Sequence, residues 1–162
     1  MRSNFWAKFS NAHPESGFPA PLVGALCLAE NCIGPEAYRP DDIITMHSGL
    51  TCEVDNTDAE GRFVVGDGCS YLAREMGVKT LIDSATLTGH SSFTGPTHCA
   101  IMSNCADMEA TGIEAGLESG EHGFPMIFLP EAQKKILASP VADLINSAGG
   151  TGGMGSVVGG VK

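Results

Sequence analysis

HSGLTCEVDNTDAEGRFVVGDGCSYLAREMGVKTLIDSATL, residues 47–87, changes periodicity twice, and those changes decide the fold. Upstream of Asn56, IITMHSGLTCEV (43–54) reads as two short strands around Ser48-Gly49, a hairpin turn signal. After Glu60 the pattern turns helical: Val65, Cys69, Leu72 and Met76 fall at i, i+4, i+7 and i+11, one helical face. Gly77 is placed to end that helix. Gly66 and Gly68 each weaken it by about 1 kcal/mol relative to Ala, so they predict close packing against another backbone. KTLIDSATL (79–87) then reads as a buried strand. The order strand, helix, strand predicts an α/β layered sheet.

Working outward, LVGALCLA (22–29) is a continuous apolar run of strand length, which predicts a strand covered on both faces. GPEAYRPDD (34–42) reads as a loop and HCAIMSN (98–104) as a further strand. Helices are expected over 106–119 and over 130–139, the latter stopped by Pro140. Residues 1–20 carry no period and read as an irregular or disordered arm, leaving 21–162 as the folded unit. The tail from 149 to 162 is Gly-rich and supplies no closing element. With nothing before residue 22 to form a partner layer, the unit is expected to be a partial domain, truncated at both ends.

The 162 residues are enough for one domain with a core, and 43% apolar against 17% charged residues is a globular balance. A formal net charge of -10 argues against nucleic acid and anionic membrane surfaces as partners. No apolar run approaches a membrane span, and the N-terminal stretch has no apolar signal core. The 6 cysteines form no C-x-x-C pair, so reduced thiols in a cytoplasmic protein are expected.

The densest chemistry lies in NTDAEGR (56–62), for which three readings compete. Thr57-x-x-Glu60 before an apolar run matches a capping box, which leaves Arg62 unexplained in a first turn where a cation opposes the macrodipole. Asn56, Asp58, Glu60, Gly61 and Asp67 match part of a calcium-loop spacing, but a strand stands where the entering helix should be. In the third reading Asp58 and Glu60 leave an extended segment on one side and ligate a pair of divalent ions. Arg62 then meets the negative charge that develops in a hydrolytic transition state.

NTDAEGR resembles the hallmark heptapeptide of the cytosol (leucine) aminopeptidase family at every position. RFVVGDGCSYLAREMGV (62–78) is similar to the family's next helix, with Phe63 for the usual Leu. IDSATLTG (82–89), PDDIITMHSGLTCEV (40–54) and VADLINSAGGTGG (141–153) resemble further family segments in the same order. CLAENCIGPEAYRPDDI (27–43) is most like the probable aminopeptidase-like branch. The resemblance runs over roughly residues 20–160.

The resemblance implies a three-layer α/β/α, zinc-exopeptidase-like catalytic domain with a mixed sheet. It implies a metallo-aminopeptidase that removes N-terminal residues, often leucine, from peptides with a free N-terminus. Asp58 and Glu60 would be metal ligands, for two ions of zinc or manganese, or magnesium. Arg62 would be the active-site arginine, holding a bicarbonate or the tetrahedral intermediate. Thr86, Leu87 and Gly89 would line the pocket for the first side chain. A homo-oligomer, a hexamer, is implied for the complete protein. The family's lysine and aspartate segments upstream of the heptapeptide have no counterpart here. That gap keeps a second expectation in view: a non-catalytic paralogue that docks on full-length subunits. Asp67 reads as a supporting or helix-packing carboxylate, or equally as a solvent-facing or capping one, and Asp83 either orients the ATLTG loop or is a hydrogen-bonded buried carboxylate. His98, Cys99 and Cys105 read as a satisfied core histidine and buried thiols, and His47, His90 and His122 receive no role.

Overall fold

A computed structural model of the protein describes residues 5–9, 22–29, 32–87 and 97–147. Its elements are β1 (Phe5–Phe9), β2 (Val23–Cys27), β3 (Ile43–Thr45), β4 (Thr51–Glu53), α1 (Glu60–Arg74), β5 (Cys99–Ile101), α2 (Ala106–Ser119), β6 (Gly123–Pro125), α3 (Pro130–Ile136) and β7 (Leu144–Ile145). The α/β class and the mixed sheet are as expected. The central sheet has the order β3-β4-β7, with β3 antiparallel and β7 parallel to β4. β1 pairs antiparallel with β2, and β5 pairs parallel with β6.

The hairpin forms where Ser48-Gly49 predicts it. Gly49 takes a left-handed φ of +86, a conformation that favours glycine, and the Met46 N–H donates to the Leu50 carbonyl at 2.8 Å. Cys52 and Val54 are fully buried and, with Phe63 of α1, form the core. Tyr38, Ile44, Met46 and Leu144 pack around them. The core therefore lies directly beneath the junction of β4 and α1.

Five readings of the sequence are corrected. The stretch 1–20 is not wholly irregular: Phe5–Phe9 forms a strand, and Phe5 pairs with Cys27 through to Phe9 with Val23. The rest of that stretch lies outside the described residues. β2 is covered on one face only: Val23, Ala25 and Cys27 are half-buried, and Leu22, Leu26 and Leu28 are exposed. An apolar run on both faces does not by itself supply a second covering layer. KTLIDSATL is not a strand, because it finds no ladder partner among the described residues, and Ile82 is 79% exposed. α1 buries Phe63, Val64 and Gly68 most deeply, whereas Val65, Cys69 and Leu72 are only half-buried. Gly66 faces the Met46 side chain rather than a backbone, with 3.3 Å from its would-be Cβ to the methyl.

α1 stops at Arg74, and Gly77 turns the chain with φ +62 while the Val78 N–H donates back to the Leu72 carbonyl at 3.2 Å. α2 covers the predicted span, ending at Gly120 with φ +84. α3 ends at Ile136, one turn before Pro140.

Candidate active site

The heptapeptide begins where β4 ends. Asn56 is still extended, and its side-chain oxygen accepts from the Asp58 N–H at 2.9 Å. Thr57–Ala59 then form a single 3-10 turn, and α1 follows at Glu60 with no side-chain cap of its own. The capping box is thus replaced by an asparagine cap one residue earlier, a position asparagine favours. Glu60 is left without a capping duty.

Asp58 and Glu60 are exposed, and among the described residues neither carboxylate makes a hydrogen bond or an ion pair. They do not share the face of an extended strand, because the backbone is already helical there. Residues i and i+2 of a helix point roughly 200° apart. The charges of both are felt at Tyr38. Burial pushes its phenol pKa up, and the negative charges of Glu60 and Asp58 push it further. The phenol donates to the Thr57 carbonyl at 2.6 Å, and its ring meets Phe63 edge-on with centroids 6.0 Å apart. Both carboxylates therefore lie within electrostatic reach of the phenol that holds the Thr57 carbonyl.

Arg62 is half-buried in the first turn of α1. Its Nη1 donates to the Asn146 carbonyl at 2.6 Å, which answers how a cation is held against the macrodipole. Burial lowers its pKa, yet an arginine stays charged at neutral pH. Its Nε is buried with no hydrogen-bond partner among the described residues. An orphaned donor of this kind is a place where a negative group would be welcomed.

Asn146 was not singled out in the sequence, and it organises the site. It follows β7 and is 3% exposed, the one buried polar side chain among the described residues. Its side-chain oxygen accepts from the Asp55 and Asn56 N–H groups at 3.0 and 3.2 Å. Its amide donates to the Asn56 carbonyl at 2.7 Å and to the Ala59 carbonyl at 3.5 Å. The signal was present in VADLINSAGG, but only the pairing of β7 on β4 carries this residue to the loop.

Leu87 reaches the heptapeptide: its Cδ1 lies 3.8 Å from where a Cβ on Gly61 would stand. Thr86 beside it is exposed, and Gly89 lies outside the described residues. Asp67 docks the hairpin on α1, its Oδ1 accepting from the His47 N–H at 2.8 Å. Ser70 Oγ and His47 Nδ1 are 3.0 Å apart, and Arg74 donates to the Ser48 carbonyl at 2.8 Å. His98, Cys99 and Cys105 are exposed rather than core residues, because β5 sits at a sheet edge. The His98 and His122 rings approach to 5.5 Å, and no group of three ligating side chains forms among the described residues.

The sequence profile described as the cytosol aminopeptidase family, catalytic domain, matches residues 6–161. This chain belongs to the cytosol aminopeptidase family. It is thereby a member of a family of peptide hydrolases, the aminopeptidases. It is 44% identical to the probable aminopeptidase NPEPL1 of Mus musculus over 82% of its length, and to 26% of that protein's length. Leucine aminopeptidase 1 of Caenorhabditis elegans is 43% identical over 81% of this chain and 27% of its own. The apo leucyl aminopeptidase of Trypanosoma cruzi superposes with a TM-score of 0.83 at 45% identity, over 90% of this chain and 29% of that one. The chain thus spans about a quarter of the curated aminopeptidases it matches. The docking alternative draws no support from these likenesses. No helix among the described residues is long and apolar enough to cross a membrane.

Proposed function

We propose that the whole protein carrying this chain is a metal-dependent aminopeptidase that releases N-terminal residues, leucine among them, from peptides. The observation that carries the reading is the pair of exposed carboxylates, Asp58 and Glu60, which have no partner among the described residues and stand at the turn held by Tyr38, next to a fixed Arg62. Carboxylate oxygens are hard donors suited to manganese, magnesium and zinc. They do not complete a coordination shell, so the proposal takes the remaining ligands from the family's lysine and aspartate segments, which this sequence does not contain. When bound there, two divalent ions polarise a scissile carbonyl and lower the pKa of a water nucleophile.

The chain's own residues do the rest. Arg62, held by Asn146, presents a fixed cation to developing negative charge, and its free Nε suits a bicarbonate or the reacting oxyanion. Leu87, packed beside Gly61, offers an apolar wall for the substrate's first side chain, with Thr86 and Gly89 as its neighbours. The proposal extends to a cytoplasmic enzyme assembled as a homo-hexamer; both features rest on the family resemblance.

Leucine p-nitroanilide and its N-acetylated analogue test the reading on the intact protein. Cleavage of the free-amine substrate alone, lost with EDTA and restored by manganese or zinc, is expected. Equal cleavage of both substrates, or full activity after chelation, contradicts it.

A further inference from the structure

β7 is two residues long, too short to hold its own register. Side chains at one end lock it. Asp143 accepts from both the Thr51 N–H and the Thr51 hydroxyl, at 2.8 and 2.7 Å. The Asp143 N–H lies 3.0 Å from the same hydroxyl oxygen. Leu144 and Ile145 then pair with Cys52 and Glu53, and the Asn146 N–H extends the ladder to the Glu53 carbonyl at 3.0 Å. Asn146 thus arrives where β4 gives way to the heptapeptide, and the sheet leaves it no choice of partner.

There its primary amide is saturated. The oxygen takes two backbone N–H groups and the nitrogen serves two backbone carbonyls, all within residues 55–59. A side chain buried this deeply cannot trade these bonds for water, so a change of loop shape leaves several polar groups unpaired. Meanwhile its main-chain carbonyl fixes Arg62.

We infer that Asn146 is the positioning residue of the site: its side chain sets the loop that presents Asp58 and Glu60 to metal, its carbonyl sets Arg62, and Asp143 on Thr51 sets Asn146. The inference rests on the aminopeptidase reading. It makes the VADLIN segment a bracket for the ligand loop rather than a distant piece of sheet. The role calls for a primary amide, which offers both an acceptor and two donors in one plane.

The test measures manganese binding to the intact protein by calorimetry, alongside leucine p-nitroanilide kinetics across manganese concentrations. Asn146→Asp keeps the acceptor and places an oxygen against the Asn56 and Ala59 carbonyls; Asn146→Ala removes the side chain. Both are expected to weaken manganese binding at least tenfold, with kcat largely recovered at saturating manganese and KM for the anilide little changed. Ile44→Ala, a core truncation that removes none of the loop's hydrogen bonds, is expected to lower the melting temperature without moving manganese affinity. Thr51→Val, which touches neither Asn146 nor Asp58, is expected to weaken manganese binding through Asp143, and serves if the Asn146 variants do not fold. Manganese affinity within twofold of wild type in the folded variants overturns the inference, as does an equal loss in Ile44→Ala. Wild-type protein that neither binds manganese nor cleaves the anilide overturns the aminopeptidase reading and this assignment with it.

Discussion

Arg62 shows how far a single residue can be read. Its place against the macrodipole signalled that something must hold it, but not that the holder would be a carbonyl 84 positions away. Arg62→Ala is expected to reduce kcat of the intact protein by about 10²–10³, the scale of losing one oxyanion donor. A steady-state assay checks it. Tyr38→Phe deletes the hydroxyl that donates to the Thr57 carbonyl and is expected to destabilise the fold by about 1 kcal/mol in urea unfolding. Neither Tyr38 nor Asn146 was legible as a site residue, because each acts through contacts of long sequence separation. The carboxylates are legible as types, but a 3-10 turn and the start of α1 carry them, not an extended segment. The thiols also separate by environment. Burial pushes Cys52 up to about 12, with the Glu53 charge adding to it, and Cys69 up to about 11. A thiol whose folded pKa exceeds its unfolded value of about 8.5 keeps its proton longer in the native state. Stability is therefore intact below about pH 8 and falls as pH rises through the unfolded value toward the folded ones. Alkaline unfolding followed by circular dichroism is expected to show that decline, with a shallower slope in Cys52→Ala.

Elements announced by their punctuation were found where the sequence put them. Ser48-Gly49 and Gly77 carry left-handed glycines at the hairpin and beyond α1, and α2 kept both of its predicted ends. Gly77→Ala forces a Cβ into φ +62 and is expected to lower stability by about 1 kcal/mol, read from its denaturation midpoint. β6 and β7 escaped notice because strands of 3 and 2 residues carry no period. They exist through their neighbours: β6 lies on β5 and β7 on β4. KTLIDSATL fails for the converse reason, since strand composition without a pairing partner does not make a strand.

At the scale of the molecule, apolar surface is left open. Leu22, Leu26 and Leu28 line the outer face of β2 at 54%, 60% and 53% exposure. Phe124, Ile127 and Leu129 are about half exposed or more on a second region. Monomeric proteins rarely leave such patches uncovered. The 162-residue chain expressed alone is expected to bind a hydrophobic dye and to elute from gel filtration well above 16.8 kDa. A dye-silent monomer would show that these faces are covered within the chain itself. The family was legible in the sequence because NTDAEGR and its flanking segments stand in order; the way the sheet folds β7 back to brace them was not.

The central claim is that Asp58 and Glu60 are ligands on a loop held for that purpose. The most direct measurement compares manganese-dependent leucine p-nitroanilide hydrolysis by the intact protein and its Asp58→Ala variant, with folding checked by circular dichroism. The account predicts that the folded variant loses metal-dependent hydrolysis. Undiminished cleavage by that variant would contradict it.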